Sequence, residues 1–423
     1  MALPSMRSIL RPYKRRPLMP ILLLLQIAFA LAVVCNMLHL VGHELQPLLL
    51  DTGLDAEHLA IVDGLFTSEG MWQPSDIDLG EQSARSFSNV DGVSAIFGLP
   101  LLQSARMQLG LRSNLGRTVK TEVYLGDDLI KVLGLHLIAG RNFTNSEYLQ
   151  FGIGPGATNS VRSQTIQPLI ITKELAKQWF GSSPALGKVL TDVDFSAGKF
   201  VIVGVVNHLI GDISSEVTGE ASDNAVLLPY RIGKTMFFSM AIHRNSSVDE
   251  RFLREIRGRI EASYGARLNK SAMRVSSYSD LRRQTFANQR ASIKLFGAIT
   301  FIIVVLTIVS IMGFTIFWVQ QRTKQIGIRR ALGARKMDIA LQFLTENLVI
   351  VAAAIPVGLT LACFGSILLM KNYEVSKLPF YYLPLSSAIM IGLGQLAAFL
   401  PAFRAARVPP AVATRGLDKA GRI

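Results

Sequence analysis

The chain is 423 residues long, half of them apolar, with 44 Lys/Arg against 30 Asp/Glu for a formal charge of +14. Its mean hydropathy of +0.35 suits a membrane protein with a sizeable soluble part and excludes a single soluble globular domain. Nucleic-acid binding is excluded by where the charge sits: residues 41–292 hold 25 Lys/Arg and 26 Asp/Glu, so the basic surplus lies beside apolar runs, not on a soluble patch.

Residues 1–17 carry Arg7, Arg11, Lys14, Arg15 and Arg16 and lead into an apolar run, 18–40, long enough to cross about 30 Å of hydrocarbon. That run reads as an anchor, because it is too long for a cleaved signal and no A-x-A site follows. Cys35 does not mark a lipoprotein signal either, since Val34 stands where a small residue is needed. His39 and His43, with Glu44 beside them, have a spacing that can hold a metal on a helix. At a membrane exit they read more simply as interfacial polar groups, and no metal is expected. Residues 39–50 extend the first span as a helix.

The 41–292 segment reads as a mixed α/β domain with helical stalks. FVIVGVV at 200–206 and residues 225–228 have the composition of strands. Residues 172–180 form a helix with a Thr cap and a Gly stop, and 249–264 an amphipathic helix with Phe252, Leu253, Ile256 and Ile260 on one face. The Gly/Ser/Asn-rich pieces at 152–163 and 211–223 read as loops. Three acidic pairs, Asp76/Asp78, Asp127/Asp128 and Asp192/Asp194, read as solvated turns. Both cysteines, Cys35 and Cys363, lie in apolar runs, so the domain has no disulfide framework. Catalytic signals are absent. The nearest approach to a phosphate-binding G-x-x-x-x-G-K-S/T loop is GSSPALGKV at 181–189, which has the wrong spacing and Val189 in place of the hydroxyl.

From residue 280 to 319 one long helix is predicted, with 293–319 as the second span. The stretch QQRTKQIGIRRALGARKMD at 320–338 carries six Lys/Arg against Asp338. Such a loop between spans lies on the cytoplasmic side. Its spacing predicts a short amphipathic helix with Ile326, Leu332 and Ile339 near one face. A third span covers 344–370, with Pro356 and Gly358 as the expected kink. Glu346 enters this span, where an acid is costly unless paired; snorkelling to the interface and a salt bridge to the Arg-rich loop are both open. A short outer loop, 371–382, leads to a fourth span at 383–403 and a tail, 404–423, that opens with Arg404 and Arg407. Both termini are then cytoplasmic and 41–292 is extracytoplasmic.

Residues 322–334 closely resemble the R-T-x-E-I-G-x-R-x-A-x-G-A motif of MacB/FtsX-type ABC permeases, with Gln325 in place of Glu. PAFRAARVPPAVATR at 401–415 is similar to that family's tail, departing at Pro409 and Val412. LIAGRNF at 137–143, IITKELAKQWFGSSPALGK at 170–188 and the 200–206 strand resemble successive motifs of the MacB-type periplasmic core domain.

The resemblance implies a two-lobed α/β periplasmic domain on four transmembrane helices in the bacterial inner membrane. It also implies a non-catalytic subunit that works with a second permease copy or paralogue and a dimeric ABC ATPase carrying ATP and Mg. With only 17 residues before the first span, that ATPase is expected on a separate chain. Its contact is implied at Arg322, Gly327, Ile328, Arg329, Arg330, Ala331, Leu332, Gly333 and Ala334. A periplasmic adaptor and an outer-membrane channel complete the implied efflux assembly. Lipoprotein release and FtsX-like signalling to periplasmic partners are the alternatives.

Overall fold

A computed structural model describes residues 18–102, 105–154, 166–194, 198–211, 223–373 and 377–405. Outside these lie the 1–17 segment, most of the 152–163 and 211–223 loops, and the tail with Arg407, Pro409 and Val412. The side chains of Lys324 and Arg330 lie outside them as well. The chain forms two compact units, Met1–Gln46 with Asn288–Ile423, and Pro47–Ala287. Its first helix, α1 (Leu18–Leu49), runs without a break from the apolar segment through the 39–50 extension.

The Pro47–Ala287 unit is mixed α/β. In order it comprises β1 (Leu59–Phe66), α2 (Pro74–Arg85), β2 (Val90–Phe97), β3 (Gln108–Ser113), β4 (Thr118–Gly126) and α3 (Leu129–Val132). Next come β5 (Leu137–Gly140), β6 (Leu149–Ile153), β7 (Gln167–Thr172), α4 (Lys173–Phe180), β8 (Val189–Asp192) and β9 (Lys199–Val206). The unit ends with β10 (Ala225–Leu228), β11 (Tyr230–Thr235), β12 (Phe237–Arg244), α5 (Glu250–Tyr264), β13 (Arg274–Ser277) and α6 (Tyr278–Thr285).

Strands β4-β2-β12-β1-β13 pair antiparallel. Beyond β4 the order continues β3-β8-β9-β7-β10, and β10 returns to pair parallel with β4, closing a ring of six strands. Closure removes two exposed sheet edges. Period-two alternation fixes which side chains point where. In β1, Ala60 and Val62 face a core shared with Ile77 of α2 and Phe252, Ile256 and Ile260 of α5. Leu59 and Ile61 face a second core with Val132 and Tyr278. Residues 59–62 of the strand are therefore buried on both faces, which is why that part is apolar throughout.

The cap and stop expected for the 172–180 helix are present. Thr172 Oγ1 accepts from the Leu175 amide at 3.3 Å, and α4 ends at Gly181 with φ +61°. Asp249 caps α5 by accepting from the Phe252 amide at 3.0 Å. Asp192 departs from expectation. It is buried, and its Oδ1 accepts from the Asp194 amide at 2.8 Å while Asp194 Oδ2 accepts from the Gly110 amide at 2.6 Å. These carboxylates fasten the β8 end to β3 instead of facing solvent. The Gly187 amide donates to Ile202 O at 2.8 Å, so this part of the 181–189 stretch is committed to the sheet rather than open to a phosphate.

In the membrane unit, α7 (Ala287–Gln321), α8 (Thr323–Ala331), α9 (Lys336–Tyr373) and α10 (Tyr382–Ala405) follow. With α1, α7, α9 and α10 are long and apolar enough to cross a membrane. The single helix expected over 280–319 is broken at Phe286, whose buried ring leaves the helical path between α6 and α7. The Phe286 amide still donates to Arg282 O at 3.2 Å, so the break is local, and burial of the aromatic ring favours it. Leu31, Ile311, Ile350, Ala354 and Met390 share a core drawn from all four long helices. Gly358 marks the closest approach: a Cβ there would stand 2.8 Å from Ala28 O, so α1 and α9 cross with backbones in near contact. His39 is buried edge-on against Tyr382, with ring centroids 5.4 Å apart, and does not face the interface as expected.

Candidate functional site

The expected partner-binding residues collect where α7, α8 and α9 meet. Glu346 lies three turns into α9 and is almost wholly buried, so its carboxylate must be neutralised locally. Arg322, the residue after α7, places Nη1 2.8 and 2.9 Å from the two carboxylate oxygens. Trp318, one turn earlier, donates Nε1 to Glu346 Oε2 at 3.1 Å, and the Arg322 guanidinium lies 4.5 Å from the Trp318 ring centroid. Gln342, one turn before Glu346, donates to Oε1 at 3.0 Å and accepts from Arg329 Nη1 of α8 at 2.7 Å. A chain of polar contacts thus runs from α8 through α9 to the end of α7. In a low-dielectric setting such a network is strong when complete and costly when a member is lost.

Ile326 fixes the other side of α8 by packing with Trp318, Ile339, Phe343 and Ala402. Leu332 does not join it. At 83 % exposed, it stands free in the turn after α8, where helical periodicity has ended. Ile328 is 52 % exposed, and Met337 is also exposed. Gly333 has φ +96°, a conformation that favours glycine, with nothing within 4 Å of its notional Cβ. That φ turns the chain from α8 into α9, whose start is held by Asp338 Oδ2 accepting from the Arg335 amide at 3.1 Å. Gly327 is buried, whereas Arg329 and Ala331 are exposed and Ala334 is half-buried. The braced turn therefore presents apolar Ile328, Leu332 and Met337 beside exposed Arg329, Arg335 and Lys336.

Sequence reading missed Trp318 and Gln342, although both stand at i, i+4 to a partner of the network and helix spacing would have found them. It also missed a cluster in the outer unit. His208 Nδ1 lies 2.5 Å from Asp223 Oδ2, and Nε2 lies 2.5 Å from the Asp51 carbonyl oxygen. With acceptors at both nitrogens the ring holds its proton, and the Asp223 hydrogen bond pushes its pKa up to about 9. Nearby, Arg282 donates to Leu48 O and Leu50 O at 3.0 and 2.6 Å. Residues 48–51, where the chain passes into this unit, are thereby tied down by α6 and by the segment after β9. Among the described residues no group of three His, Cys, Asp or Glu is arranged to hold a metal.

Four apolar helices, with a mixed α/β domain inserted between the first and second and a basic turn between the second and third, define a membrane permease subunit. Residues 21–263 match the family described as MacB-like periplasmic core domain, and residues 297–410 the FtsX-like permease C-terminal family. The chain belongs to the MacB/FtsX-type ABC transporter permease family. Among curated relatives, the macrolide export ATP-binding/permease protein MacB of Wolinella succinogenes is 28 % identical over 64 % of this chain and 42 % of its own length. The pyoverdine export ATP-binding/permease protein PvdT of Pseudomonas aeruginosa is 25 % identical over 65 % of this chain and 42 % of its own. The chain thus spans about two fifths of the length of these relatives. Among solved structures, the periplasmic region of MacB from Actinobacillus actinomycetemcomitans is 14 % identical with a TM-score of 0.35, covering 55 % of this chain and 94 % of that one.

Proposed function

We propose that this chain is the permease subunit of an efflux-type ABC transporter, coupling ATP hydrolysis outside these 423 residues to work by its extracytoplasmic domain. In our reading ATP and Mg are carried by a separate dimeric ATPase subunit. The observation that supports this most is the braced turn at 322–338. Exposed Ile328 and Leu332 offer a small apolar contact with basic residues around it, and the Arg322–Glu346 pair holds that surface against α7 and α9. A partner pressing on α8 would move both helices together, because the polar network gives no slack between them.

Movement then reaches the outer domain where the chain enters it, after residue 46, and where it leaves it, before residue 288. These connections serve as the stalk and the sheet's ring and five-stranded part as the two lobes. In this reading the turn and both termini are cytoplasmic and the domain periplasmic, which the basic flanks support. A second permease copy or paralogue, a periplasmic adaptor and an outer-membrane channel complete the proposed assembly.

The test is retention of an ABC ATPase on the affinity-purified chain. Ile328→Asp with Leu332→Asp touches no buried group and should abolish retention while leaving membrane insertion intact. Full retention and full export by a correctly inserted double variant would refute the assignment.

A further inference from the structure

We propose that Tyr382, the first residue of α10, is a positioning residue that grips α1 where that helix leads toward the α/β domain, so that α1 moves with α9 and α10. Three successive turns of α1 meet it on one face, since Cys35, His39 and Gly42 recur at helical spacing. Cys35 Sγ donates to Tyr382 O at 3.8 Å. The His39 ring stands edge-on to the Tyr382 ring, with 5.4 Å between centroids. At Gly42 the approach is closest: a Cβ there would lie 2.1 Å from the Tyr382 hydroxyl oxygen and 3.3 Å from ring Cζ. Only a residue without a side chain lets that hydroxyl rest on the α1 backbone.

Tyr382 is itself held in place. Its amide donates to Pro379 O at 3.1 Å, and the Tyr381 ring lies 4.4 Å from its own, centroid to centroid. Beside it, Asn36 Nδ2 donates to Ala362 O of α9 at 3.1 Å, and Leu378 and Leu383 pack with Cys35 and Ala362. Helices α9 and α10 thus hold α1 jointly. A tyrosine ring turns on only two side-chain torsions, so one seated in this way passes on a displacement instead of absorbing it. Beyond Gly42, α1 runs unbroken to Leu49, about 10 Å further. The polar network at the turn joins α7, α8 and α9, so α7 is moved directly and α1 through α9 and α10. This coupling role rests on the permease reading above; the contact itself does not.

The test is a suppressor pair in the full chain. Gly42→Ala must push the hydroxyl, and the ring with it, off α1. Adding Tyr382→Phe removes the atom at 2.1 Å and leaves the nearest at 3.3 Å, which a shift of a few tenths of an ångström relieves. In the chain alone, Gly42→Ala should lower the unfolding midpoint in detergent, and Tyr382→Phe should restore it. In the complex with the ABC ATPase that the chain retains, hydrogen exchange over residues 43–56 should change when ATP and vanadate are added. Gly42→Ala and Tyr382→Ala should each lose that change while ATPase retention and hydrolysis stay at the wild-type level, which general damage to the fold would not spare. Tyr382→Phe alone should keep the change, because the ring remains, and the Gly42→Ala, Tyr382→Phe pair should regain it. A change that survives in both Gly42→Ala and Tyr382→Ala, or that the pair fails to regain, overturns the coupling role. Should the wild-type chain retain no ATPase, the permease reading falls and the coupling role falls with it. The midpoints judge the contact separately: no restoration by Tyr382→Phe overturns it.

Discussion

Arg322 and Glu346, 24 residues apart in sequence, form an ion pair of 2.8 Å with both side chains largely buried. The pair joins the end of α7 to α9, and through Gln342 and Arg329 it also reaches α8. Arg322 is committed to this brace, and Arg329, though exposed, is tied to it through Gln342.

Removing one partner of this pair leaves the other charge buried. Glu346→Ala or Arg322→Ala should each destabilise the membrane unit by about 3–5 kcal/mol, read as a fall in the unfolding midpoint in detergent. The double variant Arg322→Met, Glu346→Leu should recover most of that loss, because packed apolar groups tolerate the site. Recovery of stability without recovery of ATPase association would separate the brace's structural role from its coupling role.

Gly333 is needed for its backbone conformation, since φ is +96° and nothing lies near its notional Cβ. Gly333→Ala should cost about 1 kcal/mol and Gly333→Asn less, because Asn tolerates left-handed backbone. If close approach of the ATPase matters as well, both variants should lose ATPase association beyond their effect on stability. Equal association of a stably folded Gly333→Asn variant would limit this glycine to a turn-forming role.

The His208 cluster predicts alkaline sensitivity. Its folded pKa is raised to about 9 from an ordinary 6.5, chiefly by the hydrogen bond His208 donates to Asp223. Its contribution is therefore complete below about pH 6.5 and is lost as pH rises through 9. Thermal unfolding of the full chain, followed through Trp72 and Trp179 in the outer unit, should show a midpoint that falls from pH 7 to 10. His208→Gln should lower the midpoint at pH 7 and flatten that dependence. An unchanged pH profile in the variant would remove His208 from the account.

Topology is open to a labelling test. In a background without Cys35 and Cys363, Leu115→Cys, at the exposed β3–β4 turn, should react with an impermeant thiol reagent in intact cells. Lys336→Cys should react only after permeabilisation. Equal reactivity at both positions would sink the four-span orientation.

Particular elements show how far the sequence could be read. The apolar runs at 18–40, 293–319, 344–370 and 383–403 fall within the four long helices, because hydrocarbon thickness sets a length that any spanning helix must meet. The cap at Thr172 and the stop at Gly181 are local chemistry and were legible as such, whereas the equally local Asp249 cap was not read. Leu332 was misplaced because helical periodicity was carried past the helix end into a turn that Gly333 makes. Asp192 was misplaced because a carboxylate's burial depends on an amide 82 residues away at Gly110, reached through Asp194, which local composition cannot reveal.

The sequence by itself determined the membrane spans, their orientation signal, the α/β character of the inserted domain and the family motifs. Each of these is written in nearest-neighbour periodicity or in the local placement of charge. Only the tertiary structure decided that Glu346 is paired and not snorkelling, that β10 closes a ring on β4, and that the Asn36 amide of α1 donates to Ala362 O of α9. All three depend on groups far apart in the chain, and a buried polar group's partner is chosen by packing, which sequence spacing does not encode.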